Sequence, residues 1–581
     1  MVHRRAVRRR RHRVVRVHGG GGRRRRGAGG LSDGARLAQS RARHRRVRRA
    51  AGKRCRSARA LGGHLVKLHR FLLALVLCCL ALPVFANDYR FAPAPTWVKD
   101  APLPDAGDAQ PTREGTRYLL LDDQIDVRGP ERVTYRRVAT RLDNARALSD
   151  GGQLEIWYQP EYQRVEIHAI HVRRGGQVTD RRESARIEVL RREEDLDSAM
   201  YDGEHTLSIT LPDLRVGDIV DYSYSVVGAN PVFRGGYHGT FTARFGAALA
   251  YRRVRALYSP ARPLHVRAPG DFTRQDGAIG DARFVEFAAR RLPRTRTEPD
   301  TPSSFDPYGD IELSTAKTWS DVVQWAVPMY LPRLRDRALA ADLVQRLRLH
   351  DADKRAAMLR AIAFVEGEIR YTALDMGKNS HEPNLPETVV ARRFGDCKDK
   401  AVLLSALLHE AGIQAEPVLV DTEGRESLAS RQPSAVAFDH VVVRAHLDNK
   451  PVWIDPTRDP ETGALEDRSP LPYRLGLPLC ATCDRLVDIP QPPPRAPLVD
   501  VGQRVDLATT DDGFRADFTI VTDYRNEKAD GIRGTFADGE DELGERYVSY
   551  MRKYYDDLQA TRTPTLHESG AGAARGRSSV T

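Results

Sequence analysis

The chain has 581 residues, 41% of them hydrophobic and 29% charged, and a formal net charge of +14. This length exceeds one ordinary hydrophobic core, so we expect two to four domains. Residues 1–65 hold 23 Lys and Arg against one acid, which leaves a net charge of −8 for the remainder. This uneven distribution of charge excludes a protein that is basic throughout and argues against a nucleic-acid partner for the chain after residue 65.

The Arg-rich segment 1–65 lacks apolar periodicity, which predicts disorder. A signal-peptide pattern follows it, and a signal peptide normally begins a protein. We therefore expect translation to start near Val66 and residues 1–65 to be upstream sequence. The alternative is a basic arm that binds nucleic acid or acidic lipid.

Residues 66–86 show the three-part pattern of a secretory signal peptide, with a basic region, an apolar run and the small residues Val84 and Ala86. The apolar run from Phe71 to Leu82 is shorter than the roughly 18 to 20 residues that span a bilayer. We expect cleavage after Ala86, export to the periplasm and no stable membrane span afterwards.

The hydrophobic period changes along the mature chain. Segments such as RVTYRRVATRL and DIVDYSYSVV alternate apolar and polar residues, which predicts a β-sandwich. Helical spacing follows, then three further strand patterns, which predicts an α+β domain. The fold class is therefore multidomain α+β, with a β domain at each side of the α+β core. The predicted segments are the Arg-rich segment (1–65), the signal peptide (66–86), an N-terminal extension (87–111), a β-sandwich-like domain (112–290), a linker (291–315), the α+β domain (316–470), a Pro-rich linker (471–498), a partial C-terminal β domain (499–560) and an unstructured tail (561–581).

Three cysteines follow the predicted cleavage site. Cys480 and Cys483, in the sequence CATC, can close a local disulfide in an oxidising compartment. A zinc site would need a second Cys or His pair at ligand spacing, and none is present, so we expect no metal. The remaining thiol is Cys397.

Cys397 stands where a helix is predicted to begin, in RRFGDCKDKAVLLSALLHEAG. Asp396 suits the N-cap position and Gly412 the position after the last helical turn. The positive end of the helix dipole, with Lys398 and Lys400 nearby, favours the thiolate. A cysteine at a helix start is by itself more often an inert structural thiol, because a nucleophile also needs a base and a group that orients it.

The segment DHVVVRAHLDNKPVWIDPT can supply both groups. An Asp-Asn turn pairs Val443 with Ile454 and gives the hairpin one apolar face. His440 and Asp455 then lie diagonally on the other face, within roughly 7 to 8 Å between Cα atoms. Taken alone, His440 would be an ordinary strand histidine and Asp455 a turn residue before proline.

Three blocks, RRFGDCKDKAVLLSALLHEAGIQAEPVLV, FDHVVVRAHL and VWIDPT, resemble the catalytic blocks of the transglutaminase-like superfamily, which shares its core with papain-like cysteine peptidases. The order of domains resembles an exported bacterial family whose N-terminal β domain is of unknown function. The resemblance implies that Cys397 is the nucleophile, His440 the general base and acid, and Asp455 the residue that orients His440. It also implies that the cleft is lined by Tyr371, His381 and Pro386. The sequence contains no calcium motif that we recognise, and we expect no cofactor.

These observations predict an exported cysteine enzyme that transfers acyl groups at amide bonds of a protein, a peptide or a cell-envelope polymer. Capture of the thioester by water makes it a peptidase or amidase, and capture by an amine makes it a transamidase. The same residues serve both reactions. The alternative is a catalytically silent envelope binding or scaffold protein that uses its β domains.

Overall fold

The computed structural model of the chain describes residues 89–191, 200–302, 304–335, 339–461, 463–493, 496–511, 513–555, 558–570 and 573–580. The predicted Arg-rich segment and signal peptide lie outside the described residues. None of the described helices is long and apolar enough to cross a membrane.

The N-terminal part of the described chain consists almost entirely of strands. Among the described residues, α-helix α1 (Ala145–Gly151) and two 3-10 helices (Ala106–Asp108 and Pro231–Phe233) interrupt them. Alternation of apolar and polar residues forms these strands, since Leu154, Ile156 and Tyr158 are buried in the fourth strand while the residues between them are not. The strands are β1 (Tyr89–Phe91), β2 (Thr116–Asp126), β3 (Val133–Leu142), β4 (Gln153–Tyr158), β5 (Arg164–Arg174), β6 (Gln177–Asp180), β7 (Arg186–Arg191), β8 (Met200–Tyr201), β9 (His205–Thr210), β10 (Ile219–Val227), β11 (His238–Thr242), β12 (Leu249–Tyr258), β13 (His265–Arg267), β14 (Thr273–Ile279), β15 (Ala282–Leu292) and β16 (Asp310–Ser314).

One long sheet organises this domain, in the order β1-β5-β10-β3-β2-β12-β15-β14 with β6 paired to β5. Two smaller sheets, β4-β9-β7 and β11-β16-β13, share buried apolar clusters with it. Leu154 of β4 packs in one cluster with Val165 of β5, and Leu313 of β16 packs in another with Val254 of β12. This layering confirms the β-sandwich-like expectation.

Two arginines of β12 lie inside this domain with their counter-charges. Arg252 Nη1 is 2.8 Å from Asp123 Oδ2, and Arg253 Nη2 is 2.7 Å from Asp122 Oδ2. Arg136 donates from Nε to Asp123 Oδ1 at 2.6 Å. The parallel pairing of β2 with β12 sets Asp122 opposite Arg253 and Asp123 opposite Val254, two residues beyond Arg252. Both pairs are buried, so each charge depends on its partner.

The central domain begins with helices and ends with a five-stranded antiparallel sheet in the order β22-β21-β20-β23-β24. The helices and one face of the sheet enclose the larger apolar core, and a smaller apolar cluster lies on the other face. This arrangement confirms the α+β core. The elements are α2 (Trp319–Arg335), α3 (Ala341–Arg346), α4 (Lys354–Glu368), β17 (Arg370–Tyr371), β18 (Ala373–Leu374), α5 (Pro386–Arg392), β19 (Phe394–Gly395), α6 (Cys397–Glu410), β20 (Ala415–Val420), β21 (His440–Leu447), β22 (Lys450–Ile454), β23 (Leu475–Pro478) and β24 (Val487–Asp488).

Both segments that were expected to be linkers contain strands. β16 lies within 291–315 and pairs with β11 and β13, while β23 lies within 471–498 and pairs with β20. The prediction of linkers was wrong at these points because strands of four or five residues in proline-containing segments show too little alternation to stand out.

The C-terminal part forms the four-stranded sheet β25-β26-β28-β27 with two helices. The prediction of an unstructured tail at 561–581 is wrong, since most of that segment lies in the last two strands. Its Gly, Ala, Ser and Arg residues lack apolar alternation, but β28 pairs with β26, for example Val580 with Phe518, and β27 pairs with β28. The elements are β25 (Val499–Thr510), β26 (Gly513–Arg525), α7 (Glu527–Asp538), α8 (Glu540–Met551), β27 (Ala560–Gly570) and β28 (Ala573–Val580).

Candidate active site

Cys397 is the first residue of α6, and local chemistry sets where that helix begins and ends. The Asp396 carboxylate caps the helix by accepting from the Asp399 N–H at 3.2 Å. Gly412 follows the last turn with φ of 72°, in the left-handed region that favours glycine, and its N–H donates to the His409 carbonyl at 2.9 Å. The thiol therefore stands at the N-terminal turn, as the sequence predicts.

The two lysines near Cys397 differ in what they contribute. Lys398 is buried between the carboxylates of Asp396 and Asp375, the latter at 3.1 Å, and its charge still interacts with the thiol. Lys400 instead donates to the Ile369 carbonyl at 2.9 Å, and burial lowers its pKa to about 8. The charge of Lys398 therefore acts on the thiol, while that of Lys400 acts on Asp455 from inside the core.

Asp399 anchors the loop before the cysteine, a contact that the sequence pattern does not reveal. Its Oδ1 accepts from the Asn384 N–H at 2.7 Å, and the Arg392 guanidinium pairs with Oδ2. Asp399 is almost fully buried and lies two residues after Cys397. These bonds fix the approach to α6 and therefore the position of the thiol.

The hairpin of β21 and β22 forms in the predicted register. Val443 pairs with Ile454, and the turn residues Asp448 and Asn449 have φ of 52° and 60°. Positive φ at both turn positions is typical of a type I′ turn, which matches the twist of the strands. His440 begins this hairpin.

His440 and Asp455 are brought together at the end of the hairpin that faces α6. Their side chains are 10% and 4% exposed, and His440 Nε2 lies 3.0 Å from Asp455 Oδ2. The Cys397 thiol lies close enough to interact electrostatically with the same imidazole. Since Asp455 takes Nε2, Nδ1 is the nitrogen left for the thiol. Nucleophilic cysteine chemistry requires a thiol, an imidazole and a carboxylate that lie beside one another in this order.

The electrostatics of the site keep the imidazole charged. Burial disfavours the imidazolium, but the adjacent Asp455 carboxylate and the interaction with Cys397 raise the pKa of His440 well above its ordinary value. Burial likewise disfavours the ionised Asp455, yet the charge of His440 holds the pKa of that carboxyl below its ordinary value. A carboxylate beside an imidazolium is therefore the state of this pair at neutral pH.

Tyr473 and Thr457 complete the environment of Asp455. Oδ1 accepts from the Thr457 N–H at 3.0 Å and from its hydroxyl at 2.7 Å, while Oδ2 also accepts from the Tyr473 hydroxyl at 2.9 Å. The Tyr473 ring lies 5.7 Å from the His440 ring. Both carboxylate oxygens are thus held in place. Tyr473 was missed because it lies in a segment expected to be a linker, and no motif marks it.

The three residues that the resemblance assigns to the cleft have different positions. Tyr371 lies in β17 opposite Gly395, and burial together with the charges of Cys397 and Asp396 raises its pKa well above its ordinary value. The structure therefore brings Tyr371 to the thiol. Pro386 is buried in the first turn of α5, and its place in the cleft stays a prediction.

His381 packs in an aromatic cluster where the two domains meet. Its ring lies 5.1 Å from Phe233 of the N-terminal domain and 5.5 Å from Trp325 of α2, and its Nδ1 hydrogen-bonds the Ser380 hydroxyl at 2.8 Å. The Trp325 indole donates to the Val232 carbonyl at 2.9 Å. The contacts of His381 are therefore those of a residue that holds the domain junction.

Cys480 and Cys483 form a disulfide, and Cys397 is the free cysteine within the described ranges. No group of three or more His, Cys, Asp and Glu side chains within those ranges is arranged to hold a metal ion.

Comparison with known families and structures agrees with this geometry. Residues 341–455 match the transglutaminase-like superfamily, and residues 131–296 match a domain of unknown function with a solved structure, DUF3857. The crystal structure of a candidate protease from Parabacteroides distasonis is similar to this chain, with a TM-score of 0.53 at 13% identity over 80% of this chain and 93% of that one. A candidate cysteine protease from Cytophaga hutchinsonii matches 38% of this chain and 75% of its own, at 14% identity and a TM-score of 0.18. No curated protein matches. The resemblance drawn from the sequence is thereby confirmed.

Proposed function

We propose that this chain, with its transglutaminase-like domain behind a domain of unknown function, is a cysteine enzyme that transfers the acyl group of an amide. The observation that carries the proposal is the placement of one buried imidazole between the Cys397 thiol and a carboxylate 3.0 Å away. A structural thiol has no need of either partner.

The groups of the site suit each step of the reaction. The Cys397 sulfur attacks the amide carbonyl, and the backbone N–H groups at the start of α6 stabilise the oxyanion. His440 gives its proton to the leaving amine as the C–N bond breaks, which leaves a thioester on Cys397. Water or a second amine then attacks the thioester, His440 takes up the released proton, and Cys397 leaves. Asp455 stays ionised and keeps the imidazole oriented.

The proposal extends to an exported enzyme of the periplasm whose substrate is an amide of a protein, a peptide or a cell-envelope polymer. The signal-peptide pattern of the sequence supports export. The disulfide between Cys480 and Cys483 supports it too, since such bonds persist in oxidising compartments.

An assay with a mixture of unfolded proteins and a fluorescent primary amine tests the proposal. Hydrolysis gives shorter fragments, and transamidation gives fluorescent protein, so one incubation distinguishes the two reactions. We expect the chain to produce at least one of these products and Cys397→Ala to produce neither. If the chain and Cys397→Ala behave alike over a broad set of protein and cell-envelope substrates, the silent binding or scaffold protein becomes the better account.

A further inference from the structure

A cavity of about 560 Å³ lies in the N-terminal domain. Residues 294–297, which follow β15, form one wall, and the turn at Gly246, which precedes β12, forms another. The Thr295 N–H donates to the Phe245 carbonyl at 3.0 Å, and the Arg244 N–H donates to the Tyr308 carbonyl at 3.1 Å. Backbone bonds therefore hold the two walls together. The polar side chains that line the cavity are Arg113, Arg294, Arg296, Thr295, Thr297 and Tyr308.

The arginines of this cavity differ from most arginines of the same domain. Arginine is usually paired here, as Arg137 is with Asp221 and Arg253 with Asp122. The side chains of Arg113, Arg294 and Arg296 are exposed and make no ion pair or hydrogen bond with any residue that the structure describes. No lining residue is acidic. Three permanent positive charges thus share one concavity without a counter-charge from the protein.

We infer that this cavity binds an anion that carries two or more phosphate or carboxylate groups close together. Guanidinium groups bind both kinds of oxyanion through paired N–H donors, and the threonine and tyrosine hydroxyls add further donors. The volume lies within the usual range of small-ligand sites. A general basic surface does not explain the cluster, because the chain after residue 65 is acidic. The inference is independent of the proposed amide chemistry.

Titration calorimetry of the full chain with pyrophosphate and, separately, with citrate tests this inference. We expect saturable binding of at least one probe at low ionic strength, weakening as salt is added. Binding of pyrophosphate alone indicates a phosphorylated ligand, and binding of citrate alone indicates a polycarboxylate. Arg294→Gln combined with Arg296→Gln should weaken binding by roughly tenfold for each guanidinium lost.

The matched control is Arg146→Gln combined with Arg283→Gln. Both residues are exposed arginines of the same domain outside the cavity, so this double variant removes the same charge without touching the lining. It should keep the affinity within about twofold. The inference is overturned if neither probe binds at millimolar concentration, or if both double variants lose affinity equally.

Discussion

Replacement of His440 by alanine is expected to lower kcat/KM for an amide substrate by about 10²- to 10⁴-fold, the usual contribution of a general acid and base. The imidazole interacts with both the thiol and Asp455, so its loss removes both proton transfer and the positive charge that it places beside the sulfur. The measurement is the rate of hydrolysis or amine incorporation with a substrate found in the assay above.

His446→Ala is the matched control for this change. His446 lies on the same strand, β21, but at its other end, where Nε2 is 3.6 Å from Glu416 Oε1. Its replacement should leave kcat/KM within about twofold of that of the unmodified chain. A similar loss in both variants would show that the strand, rather than the imidazole, governs activity.

Asp123→Asn is expected to lower the free energy of unfolding of the N-terminal domain by about 3 to 5 kcal/mol. The substitution keeps the shape of the side chain but removes the charge that faces Arg252 at 2.8 Å and Arg136 at 2.6 Å. The buried guanidinium of Arg252 and the half-buried one of Arg136 would then lack a counter-charge. Urea titration followed by hydrogen exchange in β2 and β12 measures this domain separately from the others.

Asp126→Asn provides the comparison on the same strand. Its partner Arg128, at 2.7 Å, is partly exposed, so the loss should stay below about 1 kcal/mol. Equal losses for the two variants would contradict the assignment of Asp123 as the buried counter-charge.

The parts of the site that the sequence predicts depend on interactions between residues that are close together in the chain. Asp396 and Gly412 cap α6 through groups within four residues of each end, so capping requires no knowledge of the fold. The hairpin register follows from the side-chain period of two and a turn of two residues, which together leave one pairing that buries the apolar face. This register is enough to place His440 beside Asp455 from the sequence alone.

Contacts between distant segments explain what the sequence could not predict. Tyr473 lies 18 residues after Asp455 in the chain and hydrogen-bonds its carboxylate. The Pro-rich composition of the segment that contains Tyr473 had predicted a linker. Pro386 is assigned to the cleft by resemblance, and its burial depends on how α5 packs against α6. Side-chain direction relative to neighbouring elements decided both cases, and a sequence pattern does not contain that information.

The central claim is that His440 activates the Cys397 thiol, and the rate of alkylation by iodoacetamide across pH tests it most directly. Peptide mass spectrometry assigns the adduct to Cys397. Because the pKa of His440 is raised well above its ordinary value, the imidazolium persists beside the sulfur through the neutral range. We therefore predict that Cys397 is alkylated faster in the unmodified chain than in His440→Ala at every pH from about 6 to 8, because the variant lacks the imidazolium beside the sulfur. Identical pH profiles for the two proteins would contradict the account.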